Sequence, residues 1–185
     1  MKLHRPPRDS SSEEFIRDFE AFYRRHFVAV SRYVARRLPP NSHDEVVAAA
    51  FVVAWKKFSD VDSPSLPWLY RIASFEVSHE RRRLGREPSL VALSDIGSTD
   101  RYPLTDVMDM STGFAQLSEG DQEVLRLVFW EDLTRIEAAE VLDCSVNTLN
   151  VRVHRALEHL RGAISRTEST KGNIKNHQEN KEEES

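Results

Sequence analysis

The stretch LTRIEAAEVLDCSVNTLNVRVHRALEHL, residues 133–160, decides the fold. Thr134 with Glu137 three residues later has capping-box spacing and opens a short helix through Ile136, Ala139 and Leu142. A turn at Asp143-Cys144 follows, where Asp tolerates left-handed backbone better than most residues. Ser145 then stands where it can cap a longer helix, with an apolar stripe at Val146, Leu149, Val153, Leu157, Leu160 and Ile164. Upstream, Ser118 with Asp121 opens a supporting helix through Val124, Leu125, Val128 and Phe129. Two helices joined by a short turn, with a third behind them, form a helix-turn-helix.

The same stripe assigns an outer face. With Leu149, Val153 and Leu157 turned inward, Asn147, Asn150, Val151, His154 and Arg155 lie outward, with Arg152 on the flank. Residues 121–143 carry seven acids against two bases, whereas 144–161 carry one acid, Glu158, and three arginines. A helix with so few acids can approach phosphates, and Asn or Arg in its N-terminal half can pair with base edges in a major groove. Periodicity alone leaves an ordinary helical hairpin with a solvated face open beside this reading.

Toward the N-terminus the spacing predicts three more helices. Phe15, Phe19, Phe22, Tyr23, Phe27, Val30, Tyr33, Val34 and Leu38 line one face of a long helix that ends at Pro39-Pro40. Ser42 and Glu45 have capping-box spacing at the start of a second, with Val46, Val47, Ala50, Phe51, Ala54, Trp55 and Phe58 as its apolar set. A third begins near Pro67 and runs through Trp68, Leu69, Ile72, Ala73 and Val77 into Arg81-Arg82-Arg83, where positive charge suits a helix C-terminus. No segment reads as strand. Between the two helical parts, residues 87–122 hold seven acids, one base (Arg101) and the breakers Pro88, Gly97, Pro103 and Gly113, so residues 87–115 read as an acidic linker. Residues 1–12 and 166–185 are too polar to fold alone, Ile174 being the only apolar residue after Ile164. The expected domains are therefore 13–86 and 116–165, both all-α.

Composition narrows the class of function. The chain of 185 residues carries 26 basic and 30 acidic side chains, a net charge of -4, with 39% apolar residues, enough for a modest core. No run reaches the length of a membrane span and Met1 to Ser12 lacks the apolar stretch of a secretory signal, so a cytoplasmic protein without membrane insertion is expected. One cysteine, Cys144, rules out an internal disulfide and any Cys-rich zinc site. Glu76-x-x-His79 has the spacing of half a di-iron carboxylate site, but the chain has no second copy. With no Gly-rich phosphate loop and no nucleophile elbow, neither catalysis nor a metal or other cofactor is expected.

The stretches 117–125, 133–142, 145–149 and 152–157 together resemble region four of the extracytoplasmic-function sigma factors of bacterial RNA polymerase. The upstream part is similar to region two of that family: Asp44-Glu45-Val46-Val47 leading to Phe51 and Trp55-Lys56, then Trp68-Leu69-Tyr70-Arg71-Ile72-Ala73 followed by Arg81-Arg82-Arg83. The resemblance covers about residues 15–86 and 115–163, in the family's order. It implies that Asp44, Glu45, Val47, Phe51 and Trp55 dock on core RNA polymerase. It also implies that Asp60, Trp68, Tyr70, Arg71, Phe75, His79, Arg82 and Arg83 attend the promoter element that is melted to single-stranded non-template DNA. Asn147, Thr148, Asn150, Val151, Arg152 and Arg155 would then hold the distal element of the double-stranded promoter, and an anti-sigma factor is an implied partner. This chain departs from the family pattern at Ala48-Ala49, where a Gln-Glu pair is usual, at Phe75 and His79, where Asn and Asp are usual, and at Asn147 and Asn150-Val151, which replace Gly and Lys-Ser. An Asn can read adenine and a Val can touch a thymine methyl, so the reading helix is expected to have its own preference. Two rival readings follow from the same residues: a stand-alone helix-turn-helix regulator, and a sigma-derived competitor that binds polymerase or an anti-sigma factor without opening DNA.

Overall fold

The computed structural model describes residues 10–85 and 104–182, with side chains over 12–85 and 110–167. All the regular structure among these residues is helical: α1 (Ser10–Ala35), α2 (His43–Lys57), α3 (Leu66–Arg83), α4 (Leu104–Ala115), α5 (Glu119–Phe129), α6 (Arg135–Val141) and α7 (Val146–Glu182). Short 3-10 turns, Pro40–Ser42 and Phe58–Asp60, lead into and out of α2. The chain divides into two compact units, one built on α1–α3 and one on α4–α7.

In the first unit α1 buries Phe19, Phe22, Val30, Tyr33 and Val34, the recurring spacing of one helix face. Against it α2 sets Val46, Val47, Ala50, Phe51 and Ala54, and α3 sets Leu69, Tyr70, Ile72, Ala73 and Val77. Each large side chain so removed from water contributes about 1.5–3 kcal/mol before entropy is counted. One end is an aromatic cluster, in which Trp55 meets Phe15 and Phe19 edge-on at 4.6 and 4.8 Å and Phe58 meets Phe22 at 5.3 Å. At the other end Tyr33 and Tyr70 stack at 4.6 Å and the Arg37 guanidinium lies 3.5 Å above the Tyr33 ring. Ser65 caps α3 by accepting the Trp68 N–H at 3.3 Å, Pro67 lies in the first turn, and Gly85 supplies the left-handed residue (φ 59°) just past the end.

In the second unit α4 and α5 both pack on α7. Phe114, Leu117, Leu125 and Ala156 form the core, with Trp130, Leu157 and Leu160 packed around it. Gly113 is required by this packing, since a Cβ there would stand 2.8 Å from Ile164 Cγ1.

Three expectations are corrected. The stretch 87–115 read as linker lies outside the described residues up to 103, but from Leu104 it is helix, and its last turn delivers Phe114 to the core. That helix owes its place to long-range contacts with α7, which the Pro, Gly and acidic composition of 87–115 does not reveal. Helix also extends past both expected domain limits: α1 starts at Ser10, and α7 runs through Glu182 across most of the stretch read as an unstructured tail. Finally, Ile136 is 72% exposed rather than interior. A seven-residue helix offers two candidate apolar faces, and docking buries the one bearing Ala138, Ala139 and Val141.

Candidate functional site

The turn between α6 and α7 is held by backbone bonds from Cys144 N–H to Ala139 O (3.0 Å) and from Asp143 N–H to Glu140 O (3.2 Å), a Schellman-type ending with Asp143 at φ 51° in the left-handed position. Ser145 then caps α7, its Oγ accepting the Thr148 N–H at 3.1 Å and lying 2.8 Å from Thr148 Oγ1. Leu149, Val153 and Ala156 are buried, which anchors the helix by one face. Asn147, Thr148, Asn150, Val151, Arg152, His154 and Arg155 are all exposed on the other, as their spacing predicts. Among the described residues neither Arg152 nor Arg155 is engaged in an ion pair or hydrogen bond, so both guanidinium forks are available to phosphate or base edges. His154 lies 3.4 Å from Glu158, and His159 Nδ1 lies 2.8 Å from Asp121 Oδ2 at the start of α5, which fixes α7 against its support.

On α2 the five residues expected to dock a partner separate into two groups. Asp44 and Glu45 are exposed in the first turn. Val47 and Phe51 are interior and Trp55 is held in the aromatic cluster, because α2 packs on both α1 and α3 and needs a broad apolar face. Val47 and Phe51 therefore pack inside the unit, while Trp55, only partly buried, packs in the cluster and keeps some exposed surface. The outward face adjoining the acids is Ala48, Val52 and Lys56, and Val52, 52% exposed, was not singled out by the sequence. Its signal is an apolar residue four positions beyond Ala48 and off the buried stripe.

On α3 the outcome is again divided. Tyr70, 2% exposed and stacked on Tyr33, is core and is withdrawn from the DNA-facing set. Trp68 is half-buried with its ring 6.0 Å from Phe22. Arg71 is partly exposed, and Phe75, His79 and Arg82 are fully outward, as is Asp60 in the turn after α2. Arg83 is not free: its Nε and Nη2 donate to the Glu80 carboxylate at 2.6 and 3.0 Å, and Nη2 lies 3.4 Å from Glu45 Oε2. The Glu80 hydrogen bond and charge, with Glu45 adding to them, raise the Arg83 pKa above its ordinary value. Glu80 itself is 3% exposed and also accepts the Ser42 hydroxyl at 2.6 Å. Sequence reasoning missed it, although Glu80 sits three residues after Val77 on the inward face and three before Arg83.

With this geometry in view, the likenesses to known proteins are specific. Residues 110–160 match the family described as Sigma-70, region 4. The RNA polymerase sigma-H factor of Pseudomonas aeruginosa is 30% identical over 138 residues, covering 65% of this chain and 72% of that protein. CnrH, solved in complex with the cytosolic domain of CnrY, is similar with a TM-score of 0.59 and 26% identity, over 80% of this chain and 88% of that one. The sigma factor RpoE of Bartonella quintana, co-crystallised with the anti-sigma factor NepR, shares the fold with a TM-score of 0.62 at 20% identity, over 80% and 97% of the two chains.

Proposed function

The chain belongs to the extracytoplasmic-function sigma factors, and from that premise we propose how its two units share the work of promoter recognition. As a sigma factor it directs RNA polymerase to promoters and contributes no catalytic group of its own. The observation that carries the division of labour is the exposed face of α7, where Asn147, Thr148, Asn150, Val151, Arg152 and Arg155 stand together on a helix anchored through Leu149, Val153 and Ala156. That face holds the distal promoter element in its major groove, the two arginines taking phosphates or guanine edges and the asparagines reading adenine.

The first unit binds core polymerase through the outward residues of α2, Asp44, Glu45 and Val52, while Phe51 and Trp55 keep that helix in place from within. The outward residues of α3, namely Arg71, Phe75, His79 and Arg82, receive the non-template strand of the proximal element, beside Asp60 and the edge of Trp68. Residues 87–103, with the acids Glu87, Asp95 and Asp100, lie between the two units in the sequence. The stretch from Leu104 onward belongs with the second unit. The cytoplasm, where polymerase and promoters meet, is its place. No described helix is long and apolar enough to cross a membrane. An anti-sigma factor is a partner of the same kind as the one NepR supplies to RpoE.

Run-off transcription with core polymerase over a library of genomic fragments tests this reading. The wild-type chain yields discrete starts, and Arg155→Ala lowers them about tenfold or more with helicity unchanged, the cost of one lost base or phosphate contact. A wild-type chain that binds fragments by itself, as a dimer and without need of polymerase, would replace the sigma reading by that of a stand-alone regulator.

A further inference from the structure

Arginine crowds the second half of α1. From Ala21 to His43 the chain carries Arg24, Arg25, Arg32, Arg36 and Arg37 and neither Asp nor Glu, whereas the first half of the helix holds Glu13, Glu14, Asp18 and Glu20. Ala21, Arg25, Val28 and Arg32 recur at the spacing of one helix face, and all four are exposed, Val28 at 55%. Arg36, the next position of this row, is half-buried. The guanidinium groups of Arg25 and Arg32 have no ion pair or hydrogen bond among the described residues, while Arg24 beside them is held by Glu20. Arg37 stands apart from the row, buried over the Tyr33 ring and donating to the Tyr33 carbonyl. Burial, and after it the charge of Arg25, lower the pKa of His26, so the field of the row reaches the side chain next to it.

Two features say what fits such a face. Its cations are all arginines, whose planar forks match phosphate oxygens in pairs, and the side chains between them, Ala21 and Val28, are small enough for a strand to lie close. At ~1.5 Å per residue the row from Ala21 to Arg36 spans about 22 Å, room for successive phosphates of one strand. It also continues into a second basic surface. Phe22 and Tyr33, three residues before Arg25 and Arg36, meet Trp68 and Tyr70 of α3, and Arg81 Nη2 donates to the Arg37 carbonyl at 3.3 Å, which brings the Arg81-Arg82-Arg83 turn alongside the end of α1. A surface of one sign over that length selects a polyanion over a protein face of mixed charge.

We propose that the row on α1 centred on Arg25 and Arg32 is a phosphate-binding track for promoter DNA, touching the backbone and no base. This rests on the sigma-factor reading and goes beyond it. The residues of the first unit given to DNA above lie on α3 and in the turn after α2, whereas this track is on another helix and holds the duplex without regard to sequence.

The test uses the full chain bound to core polymerase and titrated, at about 50–200 mM potassium chloride, with fluorescently labelled duplex fragments recovered by run-off transcription. The double variant Arg25→Ala, Arg32→Ala lowers the slope of log affinity against log salt by about 2, one for each lost contact, and weakens all fragments alike, by about tenfold. Arg25→Lys with Arg32→Lys retains the slope because the charges remain. Both positions are exposed, so every variant keeps the wild-type melting temperature. An unchanged slope in the alanine variant overturns the proposal. So does weakened association with core polymerase at an unchanged slope, which would make the row a seat for an acidic protein surface. If no fragment is transcribed, the sigma reading falls; titration of the free chain with a mixed-sequence duplex then decides the row by the same difference in slope.

Discussion

Two places in the molecule carry the same short pattern, a hydroxyl residue followed three positions later by glutamate, and they end differently. At the start of α6, Thr134 and Glu137 satisfy each other: the Glu137 carboxylate accepts the Thr134 N–H at 2.8 Å and its hydroxyl at 2.7 Å, and Thr134 Oγ1 accepts the Glu137 N–H at 3.3 Å. At the start of α2, Ser42 makes no capping bond, its hydroxyl donates to Glu80 of α3, and Glu45 turns to Arg83. Burial explains the contrast. Thr134 faces water, where a partner three residues away is the nearest one available, whereas Ser42 is interior and meets a buried carboxylate that must itself find donors. A capping pattern therefore describes a helix start only where no stronger, distant acceptor reaches the hydroxyl first.

The sharpest way to break this contrast is at Glu80. Glu80→Ala strands the interior Ser42 hydroxyl and opens space beneath α3, and it lowers the stability of the first unit by about 2–3 kcal/mol in denaturant unfolding. The second unit, followed by Trp130 fluorescence in a Trp55→Phe, Trp68→Phe background, is unchanged. Less is expected of Thr134→Ala, about 1 kcal/mol confined to the second unit, measured the same way. The Thr134 hydroxyl and backbone hydrogen bonds lower the Glu137 pKa from its ordinary value of 4.5. A lowered carboxylate contributes stability that is present above that ordinary value and disappears as pH falls through the lower folded value. Glu137→Gln should flatten that part of the pH profile. The smallest effect is at Glu45→Gln, which should leave the melting temperature unaltered because Glu45 is exposed and caps nothing. A loss equal to that of Thr134→Ala would mean that a capping box does operate at α2.

The all-helical class and the boundaries of α5, α6 and the start of α7 were legible because the interactions that set them span three to five residues. The left-handed position at Asp143, the cap at Ser145 and the outward face of α7 followed in the same way. The reading of 13–86 was less complete. It recognised the apolar stripes of α1, α2 and α3 but assigned Val47, Phe51 and Tyr70 to partners outside the chain, when each is buried by a neighbouring helix. A wide apolar face and a docking face look alike in one dimension; only the presence of α1 and α3 on two sides of α2 tells them apart. Val52 and Glu80 were missed for the complementary reason, one being apolar but left outside and the other charged but taken in.

By itself, then, the amino-acid order determined what its near neighbours could settle: the helical period, the caps exposed to water, the turn at Asp143 and the acid-poor face of α7. The tertiary structure decided everything that depends on contacts distant in sequence. It drew α4 out of an apparent linker by packing Phe114 and Gly113 on α7, diverted Ser42 from its local cap to Glu80, and left Phe75 in water on the outer side of α3. The physical reason is that desolvation acts on the assembled surface, and whether a side chain is covered is known only once the helices that cover it are in place.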